Sequence, residues 1–238
     1  MTIISNFLHF AGHGDLNLIA AEGLPFGTFK GTTFEYDPQG RIIVDAQGNP
    51  KHSAESQYLG SYQPDFLASL GTELMINKRL SIRALLDGKK GGLFYSGTKL
   101  STENNGTAIT TLLNDRQPFV VENSVQEDGS GGYVVNTTET DAYHYFHDQV
   151  ASTYLLDASY LKLREVAVSY SIPTGKMGAF KSITVGVFAK NLKYWVAKEN
   201  TFADPEVGGV GGASDAVGLE TTTTPTAKSF GAELRLNF

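Results

Sequence analysis

The chain has no cysteine among its 238 residues. This absence excludes disulfide bonds, zinc sites built on thiolates and cysteine nucleophiles. Charge is also scarce, because Asp, Glu, Lys and Arg make up 18% of the residues and the formal net charge is -6. The basic residues are spread along the chain and outnumbered by acidic ones, so the sequence argues against nucleic acid as a partner.

Long hydrophobic runs are missing as well. No stretch approaches the roughly 18 unbroken apolar residues of a membrane-spanning helix, so any crossing of a bilayer must use β-strands. The first seven residues also lack the pattern of a secretory signal peptide. What is present, 26 glycines, 11% aromatic residues and much Thr, Ser and Asn, is typical of short strands joined by turns. We therefore predict an all-β protein.

The last nine residues alternate between apolar and polar side chains. In a strand, successive side chains point to opposite faces. A strand tilted across a bilayer needs about 9 to 11 residues, so this segment is long enough to span one with its apolar face toward lipid. The apolar face would carry Phe230, Ala232, Leu234, Leu236 and Phe238, and the polar face Gly231, Glu233, Arg235 and Asn237.

The same alternation predicts four earlier strands. A change of apolar phase around Arg164 and Glu165 also predicts a β-bulge or a bend there. Turn residues on both sides of Arg41 to Val44 predict a small hairpin. Residues 1–24 receive no assignment. The predicted strands lie at about 66–77, 79–87, 160–172, 181–195 and 229–238, and the predicted loops at about 25–65, 88–158 and 196–228.

The connections between these strands differ in length. Tight turns are predicted at Asn77 to Arg79 and at Pro173 to Phe180, whereas the other connections are long and rich in Gly, Thr, Asn and Asp. The short turns fall at one end of the predicted sheet and the long loops at the other. Outer-membrane barrels have short periplasmic turns and long extracellular loops.

One short segment carries residues that could bind a metal ion. His144 and His147 lie three residues apart and would share one side of a helical turn, near Asp141 and Asp148. The alternative is a solvated helix face, with Thr140 as its cap. We favour the helix, because a closed metal site needs four ligands. No nucleophile elbow or phosphate loop is present either, so we predict no enzyme activity and no cofactor.

Several segments form a combination that is specific in order and spacing, although each segment alone is common. They are Gly27-Thr-Phe-Lys-Gly31, Asp37-Pro-Gln-Gly40, Asp45-Ala-Gln-Gly-Asn-Pro50, Leu59-Gly-Ser-Tyr-Gln-Pro-Asp-Phe66, Gly91-Gly-Leu-Phe-Tyr95, Asp157-Ala-Ser-Tyr-Leu-Lys-Leu-Arg-Glu165, Ser169-Tyr-Ser-Ile-Pro173, Ala189-Lys-Asn-Leu192, Asp204-Pro-Glu206 and Pro225 to Phe238. Taken together, these segments resemble the C-terminal part of the SusC/RagA family of TonB-dependent outer-membrane transporters. The resemblance extends over most of the chain.

The resemblance implies the antiparallel C-terminal strands of a large transmembrane β-barrel, of about 22 strands. It also implies location in the outer membrane, uptake of glycans or peptides, a SusD-like surface lipoprotein as lid, and energy from the TonB complex. The plug domain and the signal peptide of the family are absent from this sequence. Five strands cannot close a barrel, since the smallest use about eight, so we expect an incomplete barrel that does not transport alone.

The resemblance and the alternation together give two sets of site residues. Polar side chains on the strands are expected to face a wet lumen, where a charge costs less than toward lipid. The final strand is expected to be the assembly signal that pairs with the barrel-assembly machinery by strand addition. The possible lumen-facing residues are Glu73, Arg83, Glu165, Lys190, Glu233 and Arg235, and the assembly-signal residues are Phe230, Leu234, Leu236 and Phe238.

A second hypothesis remains open on the sequence alone. The same alternation would suit a soluble glycan-binding β-sandwich, in which the apolar faces of two sheets pack on each other. The two hypotheses differ in the surroundings of the apolar face. In the sandwich, Leu234, Leu236 and Val168 would be shielded inside the protein, whereas in the barrel wall they would contact lipid.

Overall fold

The computed structural model describes residues 7–147, 149–173, 180–206 and 216–238. Part of the turn predicted at Pro173 to Phe180, and Asp148 of the histidine-containing segment, lie outside these residues. The strands are β1 Phe7–His13, β2 Leu16–Ala21, β3 Thr28–Gly31, β4 Ile42–Val44, β5 Gln57–Ser61, β6 Phe66–Ile76, β7 Leu80–Lys90, β8 Leu93–Ser96, β9 Phe119–Val120, β10 Ser124–Glu127, β11 Tyr133–Val135, β12 Glu139–Thr140, β13 Leu155–Asp157, β14 Tyr160–Ile172, β15 Ser182–Val196, β16 Leu219–Glu220 and β17 Ser229–Asn237.

Among the residues that the structure describes, helices are few and short. They are α1 Gly97–Asn104 and α2 Ala142–His147, with 3-10 segments at Ile109–Arg116 and Ala151–Tyr154. No helix in the described part of the chain has both the length and the apolar character that a membrane span requires. The chain divides into two compact units, which we describe separately.

The first unit is built on one antiparallel sheet and, as far as the structure describes it, consists of residues 64–91, 158–173, 180–200 and 224–238. Its strand order is β17-β15-β14-β7-β6. The hairpin β6–β7 turns at Asn77 and Lys78, whose φ angles are 51° and 58°. The backbone N–H of Arg79 donates to the carbonyl oxygen of Ile76 at 3.0 Å and closes the turn. Two positive φ angles in succession match the right-handed twist of the flanking strands.

The predicted β-bulge is present in β14. Leu163 and Glu165 of β14 pair with the consecutive residues Leu86 and Leu85 of β7, so Arg164 is the extra residue on this side. On the β15 side the extra residue is in β15, because Leu163 and Glu165 pair with Lys193 and Lys190, and Asn191 between them has a φ of 52°. Because side-chain direction alternates with period two, one extra residue returns Leu161 and Leu163 to the face that carries Val166 and Val168.

The second unit consists of residues 7–63, 92–157, 201–206 and 216–223, as far as the structure describes it. It contains four small sheets, of order β1-β2-β3-β5, β11-β10-β4, β12-β9 and β13-β8-β16. The segments predicted to be long loops, about 25–65, 88–158 and 196–228, therefore contain short strands and helices. The hydrophobic core of this unit brings together residues that are far apart in sequence. Its buried members are Leu16, Leu18, Phe29, Tyr95, Ala151, Tyr154, Ala216 and Leu219.

One carboxylate connects distant parts of this second unit. Glu220 is 1% exposed, and its carboxylate accepts from the hydroxyl of Ser96 and from both the backbone N–H and the hydroxyl of Thr98. It thus satisfies N–H and hydroxyl groups at the start of α1, where an acidic group is favourable. Ser96 is itself the N-cap, because its hydroxyl accepts from the N–H of Lys99.

The turns around β4 are built on aspartates, as the prediction of a small hairpin requires. Asp37 Oδ1 accepts from the N–H groups of Gln39 and Arg41, and Asp45 Oδ1 accepts similarly two and four residues on. Such side-chain hydrogen bonds define Asx turns. Desolvation opposes ionisation of Asp37, but the hydrogen bonds from Arg41 and Gln39 outweigh it, so the pKa of Asp37 lies below its ordinary value.

Candidate functional site

The five-stranded sheet has two chemically different faces. Directly paired residues point to the same face, so the register assigns every side chain. Glu73 pairs with Arg83, Glu165 with Lys190, and Gly186 with Glu233, and all lie on one face. The opposite face is apolar at almost every position. It carries Phe66, Leu70, Leu74, Ile82, Leu86, Val166, Val168, Val185, Val187, Leu234 and Leu236.

The charged side chains of the polar face alternate in sign across four strands. Glu73, Arg83, Glu165 and Lys190 follow one another from β6 to β15. The guanidinium of Arg83 donates to Glu165 Oε1 at 2.9 Å through one terminal nitrogen and at 3.1 Å through Nε. The hydroxyl of Ser81 donates to Glu73 at 2.7 Å. These hydrogen bonds hold the row of four charged side chains in place. All four side chains lie on the same side of the sheet.

All six residues predicted from the sequence lie on this charged face. The face borders a groove of about 450 Å³. Glu233 and Arg235 reach it from β17, the edge strand, and Lys78 and Arg79 reach it from the β6–β7 turn. A groove lined by several cations and carboxylates suits polar solutes with hydrogen-bonding groups rather than apolar ones.

A second polar cluster lies beside the bulge and was not predicted. Asp87 accepts from Arg164 at 2.6 Å, from the hydroxyl of Ser69 at 2.9 Å and from the hydroxyl of Tyr160 at 3.3 Å. Lys162 pairs with Asp87 across the strands and is 2% exposed. Asp87 could have been predicted from the sequence, because it lies four residues after Arg83 on the same strand and therefore shares its face. Lys162 was harder to place, because the bulge reverses the alternation between it and Glu165.

The aromatic side chain of Phe188 lies on the polar face. It pairs with Gly231 of β17, and its ring occupies the space where a Cβ atom at that glycine would lie. The ring therefore covers bare backbone on the neighbouring strand. Glycine in a strand marks close approach of another group, and here that group is Phe188.

The apolar face is open to the surroundings. Leu234 is 63% exposed, Val187 is 60% exposed and Phe230 is 72% exposed. Among the described residues no second sheet shields this face as a β-sandwich would require, because even Leu236 remains 40% exposed. Trp195 pairs with Leu161 and lies on the same face, whereas Tyr194 pairs with Lys162 on the polar one. A contiguous apolar surface of this size marks contact with a partner or a membrane.

The segment that holds His144 and His147 forms α2 in the second unit. Its cap is Asp141 rather than Thr140, because Asp141 Oδ1 accepts from the N–H of His144 at 2.8 Å. Asp141 Oδ2 also contacts His144 Nδ1 at 2.6 Å, and the ring of His147 stacks on Tyr143. Among the residues that the structure describes, no three His, Cys, Asp or Glu side chains are placed to hold a metal ion.

A sheet with strands of 9 to 15 residues, one apolar face and one charged face has the geometry of the wall of a transmembrane β-barrel. The five described strands do not close on themselves. No family model matches the chain.

The chain is similar to TonB-dependent receptor P3 of Formosa agariphila, with 22% identity over 209 residues. The match covers 85% of this chain and 19% of the receptor, so the chain spans about a fifth of the length of its curated relative. Among solved structures it is similar to the RagAB peptide importer in the closed-closed state, with a TM-score of 0.62 and 18% identity.

The open-open state of the same importer gives a TM-score of 0.61. In both states the match covers 100% of this chain and 25% of the chain that it resembles. The fold is thus that of part of a TonB-dependent transporter barrel. The resemblance to the SusC/RagA family that the sequence predicted is confirmed.

Proposed function

We propose that this chain forms part of the wall and the outer loops of a TonB-dependent outer-membrane transporter that takes up oligomeric nutrients. The observation that carries the proposal is the pair of opposed faces on one sheet of membrane-spanning length. Strands Phe66–Ile76 and Leu80–Lys90 have 11 residues each, about the number that a tilted strand needs to cross a bilayer. The likeness to the RagAB importer over the whole chain supports the same conclusion.

The charged face is proposed to line the lumen. An Arg or Lys that faces lipid near the midplane costs about 2 to 4 kcal/mol, whereas charges on a lumen wall remain hydrated. The row from Glu73 to Lys190, together with Glu233 and Arg235, would then contact passing solute. Asp87 extends this charged face beyond the residues that the sequence predicted, whereas Lys162, which pairs with it, is buried.

The cargo is proposed to be a glycan or a peptide. RagAB, whose fold this chain shares in part, is a peptide importer, which favours peptides, while the charged groove suits either class of polar oligomer. No step of this function is a chemical reaction, since import through a barrel moves the solute without changing its bonds. We therefore propose no catalytic residue and no cofactor.

The proposed partners follow from the transporter class. Transport would draw on the TonB complex through other parts of the receptor, with a SusD-like surface lipoprotein as lid on the outer side. Outer-membrane lipid would contact the apolar face. The strand β17 is proposed to be the assembly signal, with Phe230, Leu234, Leu236 and Phe238 presented to the barrel-assembly machinery. In the described part of the chain β17 pairs only with β15, so its other edge is open for strand addition.

The test uses the absence of cysteine from this chain. Single cysteines would be placed on adjacent positions of β14, Val168→Cys and Ser169→Cys, in the protein within outer-membrane vesicles. We expect a charged, water-soluble maleimide to label only the Ser169→Cys variant, and a lipid-soluble maleimide to label the Val168→Cys variant. Val187→Cys and Thr184→Cys on β15 repeat the comparison.

Two outcomes contradict the proposal. Equal labelling of both faces by the water-soluble reagent would indicate a sheet exposed to water on both sides. Failure of both reagents at Val168→Cys and Val187→Cys in the folded protein, with labelling restored by urea, would indicate an internal core as in a sandwich.

A further inference from the structure

The hairpin β10–β11 of the second unit ends in an open sheet edge. The strand order is β11-β10-β4, so β11 has one neighbour in the described residues. Its turn is rigid, because Asp128 Oδ1 accepts from the N–H groups of Ser130 and Gly132 and from the hydroxyl of Ser130. The edge is therefore presented by a fixed hairpin rather than by a flexible loop.

The register determines which backbone groups of β11 point outward. The N–H of Asn136 donates to the carbonyl of Ser124, and the N–H of Asp128 donates to the carbonyl of Gly132. Hydrogen-bonded and non-hydrogen-bonded pairs alternate in an antiparallel ladder. Tyr133 and Val135 are consequently in non-hydrogen-bonded pairs, and their N–H and C=O groups point away from β10.

The side chains on this edge are also unusually open. Val135 is 70% exposed, Val134 is 50% exposed and Tyr133 is 36% exposed. Proteins ordinarily protect an edge of this kind with Lys, Pro or a covering segment. Here β11 has none of these among its own residues, so the apolar side chains and four backbone groups are available together.

The chain segment that contains the hairpin carries charge of one sign. No Lys or Arg occurs between Gln117 and Leu161. Glu127 is paired with Lys51 at 3.0 Å and Asp128 is engaged in the turn, whereas Glu122, which precedes β10 in the sequence, and Glu139, which follows β11, are exposed. The acidic residues of this stretch are Glu122, Glu127, Asp128, Glu139, Asp141, Asp148 and Asp157.

We propose that the open edge of β11 binds an extended, cationic oligopeptide by strand addition. The peptide would exchange backbone hydrogen bonds with Tyr133 and Val135, pack small apolar side chains beside Val134 and Val135, and place Lys or Arg side chains near Glu122 and Glu139. Backbone hydrogen bonds give such binding its affinity, and alternate side chains give it specificity.

A short free peptide fits the edge better than a folded partner does. The edge offers four backbone groups over three residues, which is the length of a short extended segment. The inference rests on the proposed function. It specifies peptides as the class of cargo and the hairpin β10–β11 as the element that binds them. It is tested by binding rather than by labelling or transport, so either proposal can fail while the other stands.

The experiment measures peptide binding to the full chain in detergent by fluorescence anisotropy. The probe is the labelled peptide Lys-Val-Thr-Val-Thr-Val-Lys. Its controls are the analogue with Glu in place of both Lys residues, and two analogues N-methylated at alternate residues in opposite phases. We expect the cationic peptide to bind, the acidic analogue to bind at least severalfold more weakly, and one N-methylated phase to lose about thirtyfold in affinity, because it removes two backbone hydrogen bonds of about 1 kcal/mol each.

Protein variants locate the site. Val135→Lys adds a cation to the edge without removing a backbone group, and we expect it to weaken binding of the cationic peptide severalfold. Val217→Lys adds the same charge at an exposed valine outside the hairpin and should leave binding unchanged. Equal binding of all four peptides, equal loss in both N-methylated phases, or equal effects of the two variants would overturn the proposal. So would a homodimer that the Val135→Lys variant alone dissociates, since a second copy would then occupy the edge.

Discussion

The contact between Phe188 and Gly231 could not be predicted from the alternation of apolar and polar residues. In the sequence, Phe188 is an apolar residue on the polar side of its strand, and Gly231 is a residue without a side chain. In the structure the two irregularities lie opposite each other, and the ring of Phe188 covers the backbone of Gly231. Packing of an aromatic ring over a cross-strand glycine fixes the register of β15 against β17.

The contact predicts the effect of adding one methyl group. Gly231→Ala would place a Cβ atom inside the ring of Phe188, so we expect a loss of about 1 to 3 kcal/mol in the free energy of unfolding. Urea unfolding in detergent measures this loss. Gly71→Ala is the matched control, because its Cβ would meet Leu85 at an ordinary 3.7 Å. If Phe188→Leu does not relieve the effect of Gly231→Ala, the ring is not its cause.

At the scale of the element, the bulge of β14 shows what a sequence pattern can and cannot determine. The change of phase at Arg164 predicted that an extra residue is present, and the structure confirms it. The pattern could not show that Arg164 itself turns to bind Asp87. Arg164 lies on β14 and Asp87 on β7, and the register of these two strands is set by pairing between distant segments rather than by the local sequence of either strand.

The edge strand β17 yields the prediction for assembly. Phe238 is 74% exposed and its ring lies 5.0 Å from that of Phe180, so removing it should alter little inside the folded sheet. If β17 is the assembly signal, Phe238→Ala should lower the yield of folded protein in the outer membrane severalfold, measured as the heat-modifiable band on gels. Asn237→Ala is the control on the opposite face. Equal yields for both variants and the native chain would argue against this role.

At the scale of the whole molecule, the sequence predicted one unit much better than the other. The wall strands follow period-two alternation over 9 to 15 residues, and that signal is local. The second unit has strands of two to seven residues, and its buried contacts join segments more than a hundred residues apart, as Glu220 does with Ser96 and Thr98. Local patterns carry no information about such contacts, so these segments were predicted to be loops.

The two faces of the wall give the prediction that applies to the molecule as a whole. Val168 and Ser169 are neighbours on β14, and the register turns them to opposite faces. Arginine at Val168 would enter hydrocarbon and should cost about 2 to 4 kcal/mol in the free energy of unfolding from lipid vesicles if the site lies near the midplane. Arginine at Ser169 would join a face that already carries Arg83 and Lys190, and should cost far less. The comparison holds the strand, its depth and the added charge constant and changes only the side of the sheet. A similar cost at both positions would mean that lipid does not contact the apolar face.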